Sequence, residues 1–362
     1  MRISRLVWIG WIVLLTGCAS TIPKDVRLPQ MNADELARYY DYPRGPFHAI
    51  VNVKSEKTPW SREIVEFEME LPPDLINGKE VAEARRQVAT TKDPNRAKLM
   101  SLEYTVRFDY FRPKSDGKHP LIMMSPILGG NTLFVEDLAG YFAAKGYCVA
   151  LVHRKRTAMR NNEGLEQIER NLRKSVMRVR QALDWASQQP EVDPDKVASF
   201  GISYGAIVNT MVAGAEPRIK CHIFALGGGD LPSIIMSSAE PQIRRQVAKM
   251  ARTGGWTSDE LRAELERTLK SDPLNSAPLL DRKNVLMVVA QYDSVVGTPY
   301  ENLLWRKIGE PQRIVVPLGH YTTALALPFI KGQALRFLDK KFGIPPREVP
   351  ESNFEALSSK RY

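Results

Sequence analysis

Cysteine is scarce in this chain: three in 362 residues, too few to build a disulfide framework. No CxxC pair and no paired-histidine spacing occurs, which removes the common zinc sites. Glycine (23) and proline (25) are too sparse for a collagen-like or low-complexity chain. No internal repeat is present, and no apolar run reaches the roughly 18 to 20 residues that a membrane span needs. Acidic charge is also in deficit, with 41 Asp and Glu against 51 Lys and Arg, a formal net charge of +10. What remains is 43% apolar and 25% charged, an ordinary globular composition. The length suits one large domain or two moderate ones with a sizeable core.

The start is different in character. Arg2 and Arg5 precede an apolar run from Leu6 to Leu15. That run is too short to cross a bilayer but suits a signal-peptide core. It ends in Leu15-Thr16-Gly17-Cys18, which resembles the lipobox of bacterial lipoprotein signals. The resemblance implies removal of residues 1–17 and lipidation of Cys18. Ala19 follows where an aspartate would suggest inner-membrane retention, so the implied location is the outer membrane, facing the periplasm. Loss of 1–17 takes away Arg2 and Arg5 and no acid, lowering the net charge from +10 to +8. Residues 18–45, polar and dotted with proline, read as a lipid-anchored tether. Residues 46–345 read as one folded domain, and 346–362 as a C-terminal tail.

Nine candidate strands follow: Ile50–Val53, Ile64–Leu71, Tyr104–Phe111, Leu121–Ser125, Tyr147–Val152, Val197–Gly201, His222–Leu226, Val285–Ala290 and Ile314–Pro317. From Leu121 onward, strands alternate with helical patterns. The longest pattern places Leu165, Ile168, Leu172, Val176, Val179 and Leu183 on one apolar face. The expected fold class is α/β: a mostly parallel central sheet flanked by helices, with an antiparallel start. A helical piece around Val81 to Val88 interrupts the early strands. Residues 231–280 read as a helical cap insertion with two helices, the second opened by the capping box Thr257-Ser258-Asp259-Glu260.

The chemistry centres on Gly201-Ile202-Ser203-Tyr204-Gly205. This is a G-x-S-x-G placed between a strand and a helix, the sequence of a sharp turn that exposes a nucleophilic serine. Its neighbours two residues away must lack bulk, which Gly201 and Gly205 supply. A serine hydroxyl needs a base to take its proton. Of the five histidines, His48, His119 and His222 lie at the wrong ends of strands, and His153 precedes the serine. His320, after a late strand, remains. The acid belongs between the serine and the histidine, where Asp293 is favoured and Asp230 competes.

Here the chain resembles an α/β-hydrolase over about residues 105–340. It is similar to the dienelactone-hydrolase-like and prolyl-oligopeptidase-like esterases. Val192-Asp193-Pro194-Asp195-Lys196, Asp272-Pro273 and Gly319-His320-Tyr321 carry that likeness. The resemblance implies a Ser203–Asp293–His320 triad. It also implies an oxyanion hole made by the amide of Tyr204 and one from Ser125-Pro126-Ile127-Leu128-Gly129-Gly130, where Leu128 is favoured and Ile127 is the alternative. The family usually has His-Gly at the start of that loop, and Pro126-Ile127 stands instead. Such chemistry needs neither metal nor cofactor. The family's strand order also separates Cys148 from Cys221 by three strand spacings of about 4.8 Å, too far for a disulfide.

Nine basic residues face three acidic ones between 153 and 180. Arg170, Arg173, Lys174, Arg178 and Arg180 read as a solvated helix face. Arg154, Lys155 and Arg156 border the expected site, within reach of an anionic substrate group or an anionic membrane. Nothing in the patch interleaves aromatics as nucleic-acid binding would require. The expected function is serine hydrolysis of small carboxylic esters at the cell envelope, with activity rising as His320 loses its proton in the ordinary histidine range of about 6 to 7. The alternatives are a peptidase or amidase of the same fold, and a catalytically silent binding module.

Overall fold

The computed structural model describes residues 31–76, 104–130, 133–154 and 164–347, with a few isolated positions between 78 and 92. Its centre is one nine-stranded sheet: β1 (Ile50–Glu56), β2 (Trp60–Glu68), β3 (Thr105–Pro113), β4 (His119–Ser125), β5 (Cys148–Val152), β6 (Val192–Ile202), β7 (Cys221–Ala225), β8 (Val285–Ala290) and β9 (Gln312–Val316). Every expected strand is present. The spatial order is β1-β2-β3-β5-β4-β6-β7-β8-β9. β1, β2, β3 and β5 pair antiparallel in turn. From β5 through β9 every pairing is parallel.

Burial explains the composition of each strand. β4, β5, β7 and β8 are buried along their whole length, so they read as unbroken apolar runs rather than alternating ones. Two helices, α2 (Leu133–Ala144) and α10 (Leu327–Phe342), lie on one face. There Phe142, Phe329, Leu335 and Leu338 pack over Ile122, Val149, Phe200 and Ile223. The other face carries α3 (Leu165–Ala186) and α4 (Tyr204–Ala215), with Val176, Met177, Leu183 and Met211 over Val106, Met123 and Ala150. Successive residues of β4 and β5 therefore serve opposite cores, as a period of two demands.

The N-terminal segment differs from expectation. Within the supposed tether, Ala33–Tyr39 forms α1, opened by a capping box between Asn32 and Glu35. Leu36, Tyr40 and Tyr42 are buried in the core. Each such side chain contributes about 1.5 to 3 kcal/mol on leaving water. The basic residues of α3 are what hold it. Arg173 donates to the carbonyl of Tyr39 at 2.6 Å, and Arg180 donates to that of Tyr40 at 2.6 Å. Tyr39 donates to Glu169 at 2.5 Å and Tyr42 to Asp184 at 2.7 Å. Lys174, Arg178 and Arg180 are buried, and Arg180 pairs with Glu216. The expected solvated face is thus a charged seam between α3 and the preceding chain. Sequence patterning reads charge as exposure and cannot see the carbonyls and carboxylates that arrive from elsewhere.

The insertion 231–280 holds four α-helical pieces rather than two, α5 (Leu231–Ser237), α6 (Pro241–Gly254), α7 (Ser258–Thr268) and the turn α8 (Pro273–Ser276), followed by a 3-10 turn at Ala277–Leu279. α7 opens with the capping box at Thr257 and Glu260. Its buried Leu261 and Leu265 join the core beneath α3 rather than covering the strand ends. Cys148 and Cys221 are free and buried, on β5 and β7 with β4 and β6 between them. The helical piece expected at Val81–Val88 lies largely outside the described residues. So do the signal segment 1–17, Cys18, Lys155, Arg156 and most of the tail 346–362.

Candidate active site

β6 runs directly into α4, and Ser203 is the corner between them. Its backbone sits at φ 56°, ψ −122°, a strained conformation for a residue with a side chain. The flanking glycines make the corner possible. A Cβ on Gly201 would lie 2.3 Å from the carbonyl oxygen of Gly205, and one on Gly205 would lie 2.2 Å from that of Ser125. Ser203 then stands at the sheet's C-terminal edge with its hydroxyl facing a cavity. As the first residue of α4, Tyr204 has an amide with no acceptor inside the helix.

The loops after β8 and β9 bring two partners to it. His320 Nε2 lies 2.9 Å from Ser203 Oγ. His320 Nδ1 lies 2.6 Å from Asp293 Oδ2. Asp293 is in turn held by the amides of Val295 and Val296, which donate to Oδ1 at 2.7 and 2.9 Å. Burial alone would raise its pKa, but the bond to His320, that ring's charge and the two amides outweigh it. Asp293 is therefore held below the usual carboxylate range and stays ionised against the imidazole. Ser203, His320 and Asp293 form one continuous chain of hydrogen bonds.

The other candidates lie elsewhere. Asp230 is the N-cap of α5, accepting from the amide of Ser233 at 3.3 Å. Its carboxylate serves the helix, and His320 Nδ1 is already engaged by Asp293. His222 faces Ser199 Oγ at 2.9 Å inside the sheet. His153 meets Asp109 at 2.9 Å, and His119 lies 3.0 Å from each of two backbone carbonyls, those of Gly146 and Ser115. His48 is exposed.

The cavity beside Ser203 has a volume of about 500 Å³. Ile127 and Leu128, the two candidates for the second oxyanion amide, both line it, as does Tyr204. Ile207, Ile234, Val295 and Leu327 make its wall largely aliphatic. Glu240, the N-cap of α6, supplies a carboxylate and accepts a hydrogen bond from the Tyr321 hydroxyl. That bond ties the residue after His320 to the insertion. Burial, helped by this carboxylate, pushes the Tyr321 phenol up to about 12. Arg154 does not line the cavity: its guanidinium lies 4.3 Å from the ring centroid of Tyr204. The Glu240–Tyr321 bond and the Arg154–Tyr204 stack left no trace in sequence spacing, because each joins loops far apart in the chain.

A mostly parallel sheet with a serine at the β6–α4 corner, an acid after β8 and a histidine after β9 decides the architecture. The chain has the α/β-hydrolase fold. Residues 104–272 match the X-Pro dipeptidyl-peptidase (S15) family, a stretch that contains Ser203 and ends before Asp293 and His320. Among solved structures, the chain is similar to an acetyl xylan esterase from Paenibacillus sp. R4. They share 16% identity over 85% of this chain and 92% of that one, with a TM-score of 0.62. Acetyl xylan esterase 1 from Thermoanaerobacterium sp. JW/SL YS485 shares 17% over 86% and 94%, with a TM-score of 0.61. At such identity what is shared is the fold. In sequence, a thiohydrolase of Arthrinium phaeospermum is 34% identical over 106 residues, 28% of this chain and 33% of that protein. An uncharacterised protein of Bacillus subtilis is 28% identical over 71 residues, 20% of this chain and 61% of that one. The chain thus spans about a third and three fifths of the curated relatives it matches.

Proposed function

We propose that this protein is a serine hydrolase that cleaves carboxylic esters through an acyl-enzyme. The observation that carries the reading is the hydrogen-bonded chain from Ser203 through His320 to Asp293, at 2.9 and 2.6 Å, open to an aliphatic cavity. Ser203 Oγ attacks the ester carbonyl while His320 Nε2 takes its proton. The oxyanion forms against the amides of Tyr204 and Leu128, each such donor contributing about 3 kcal/mol to the transition state. Collapse expels the alcohol, which leaves with the proton held on Nε2. Water then repeats the cycle in reverse and frees the acid. Asp293 stays ionised throughout, orienting the ring and stabilising the imidazolium.

A fluorophosphonate probe tests this directly. Wild-type protein labels at Ser203 and Ser203→Ala does not. A folded wild-type protein that stays unlabelled overturns the hydrolase reading and leaves a binding module of the same fold. The match to a peptidase family supports a second reading, cleavage of amides. Matched p-nitrophenyl esters and p-nitroanilides separate the two: ester turnover without anilide turnover supports the first.

The substrate is read as a small-molecule ester, and the location as the cell envelope. Cys18 is proposed as the lipidated residue, anchoring the protein to the outer membrane on its periplasmic side. The motif Leu15-Thr16-Gly17-Cys18 supports this. Incorporation of labelled palmitate that is lost in Cys18→Ala is the expected result. An unacylated wild-type protein in the soluble periplasmic fraction overturns it.

A further inference from the structure

One buried carboxyl beside the site is not used by this mechanism. Glu301 sits in the first turn of α9 (Thr298–Lys307) and is 0% exposed. The loop that carries Asp293 leads straight into that turn. The amide of Gly297 donates to Asp293 Oδ1 at 3.4 Å, that of Thr298 to the Asp293 carbonyl at 3.2 Å, and that of Glu301 to the Gly297 carbonyl at 3.2 Å. The helix therefore folds Glu301 back behind the acid it follows. Glu301 Oε2 accepts from the amide of Ala290, at the end of β8, at 3.1 Å. No N–H or O–H donor reaches Oε1, which is fully buried. The nearest ionisable neighbour of this carboxyl is Asp293, which itself holds His320.

Two carboxylates buried side by side in one turn of chain, at 0% and 6% exposure, do not both ionise readily. One must carry a proton. Asp293 is engaged by His320 and by the amides of Val295 and Val296, all of which favour its charged form. Glu301 has one amide and otherwise faces negative charge. Burial and the neighbouring Asp293 hold its pKa well above the usual carboxylate range.

We infer that Glu301 carries a proton on Oε1 and donates it to Asp293, acting as a positioning residue behind the triad. The site then holds a single negative charge spread over two carboxyls. That donated bond draws charge from Asp293 and makes it a weaker acceptor for the imidazolium. The imidazolium formed when Ser203 is deprotonated is accordingly held less tightly than a bare Asp293 would hold it. This inference rests on the hydrolase reading for its purpose, but its tests do not require turnover.

Infrared difference spectra between wild type and Glu301→Gln at pH 8 read the proton itself. A protonated-carboxyl stretch present in wild type and absent from the variant is expected, and its absence from wild type overturns the proposal. Histidine-labelled NMR then reads the coupling, with His320 assigned by His320→Gln. Glu301→Met removes the donor without adding charge, and is expected to raise the His320 midpoint by about half to one pH unit. Glu301→Gln retains an N–H donor and brings the midpoint back toward wild type. If Glu301 were ionised, both variants would remove a negative charge and lower the midpoint, which overturns the assignment, as does an unmoved midpoint in folded Glu301→Met. Should Glu301→Met fail to fold, the infrared band and Glu301→Gln still decide. A native band in a protein that fluorophosphonate does not label would leave the proton assignment standing and the hydrolase reading overturned.

Discussion

The guanidinium of Arg154 lies 4.3 Å from the ring centroid of Tyr204, and the backbone amide of Tyr204 is the proposed oxyanion donor beside Ser203. Arg154 is buried against that ring and is absent from the cavity lining. A desolvated cation–π contact of this kind is worth about 2 kcal/mol. Arg154→Met should lower kcat about 3- to 10-fold, with neutral and anionic esters affected equally. A selective loss for anionic esters, measured as kcat/KM on a matched pair, would instead return Arg154 to substrate binding.

Gly205 should tolerate no side chain. A Cβ there meets backbone, not a flexible tip: the carbonyl oxygen of Ser125 at 2.2 Å and its carbon at 2.8 Å. Relief requires parting β4 from α4, so Gly205→Ala should cost more than about 3 kcal/mol in urea unfolding. Gly129→Ala is the control in the neighbouring loop, where a Cβ meets only the Ile127 side chain at 3.9 Å. Equal stability of the two variants would contradict the packing described.

Acid lability should come from His222. Burial lowers its pKa to about 3. The unfolded chain, with an ordinary histidine near 6.5, binds the proton more readily, so stability falls as pH drops from about 6.5 toward 3. Ser199→Ala/His222→Phe removes the titrating ring and its hydroxyl partner together. The stability lost between pH 7 and pH 4.5 should shrink by about 2 kcal/mol relative to wild type. Asp272 works in the opposite direction: burial lifts it to about 6, so protonation favours the folded chain between about 6 and 4. It is present in both proteins and leaves the difference intact.

Cys148 and Cys221 should behave as inert core groups. Burial pushes both thiols up to about 12, so neither is a thiolate at pH 8. A disulfide-exchange reagent should leave both untouched in the native protein and label both in guanidinium. A bridged peptide joining them would contradict the strand order.

Ile234, from α5, and Ile207, from α4, stand in the cavity wall. Ile234→Trp should narrow the space left for an acyl chain. On a series of p-nitrophenyl esters, the ratio of kcat/KM for octanoate to that for acetate should fall at least about fivefold. An unchanged ratio would place the acyl chain elsewhere.

Much of this architecture was legible because it is periodic or local. Unbroken apolar runs marked the buried parallel strands, and the three-to-four spacing from Leu165 to Leu183 marked α3. Gly201 and Gly205 around Ser203 announced a turn that only small neighbours permit. Asp293 and His320 stand out by their places after late strands. The misreadings share one cause. By pattern alone Arg173, Lys174, Arg178 and Arg180 read as solvated and residues 33–42 as tether, because a charge pattern does not reveal its partners.

By itself, then, the sequence determined the order of the strands, the serine corner and the chain order of the three polar groups. These depend on burial periodicity and on steric limits within a few residues. Only the tertiary structure decided what those groups touch. The choice of Asp293 over Asp230 rests on a 2.6 Å contact across 27 positions of chain. The burial of Glu301 behind it, and of Arg154 beneath Tyr204, arises where loops from separate strands converge at one edge of the sheet. Charge and proton position there depend on desolvation and close neighbours, which no local pattern encodes.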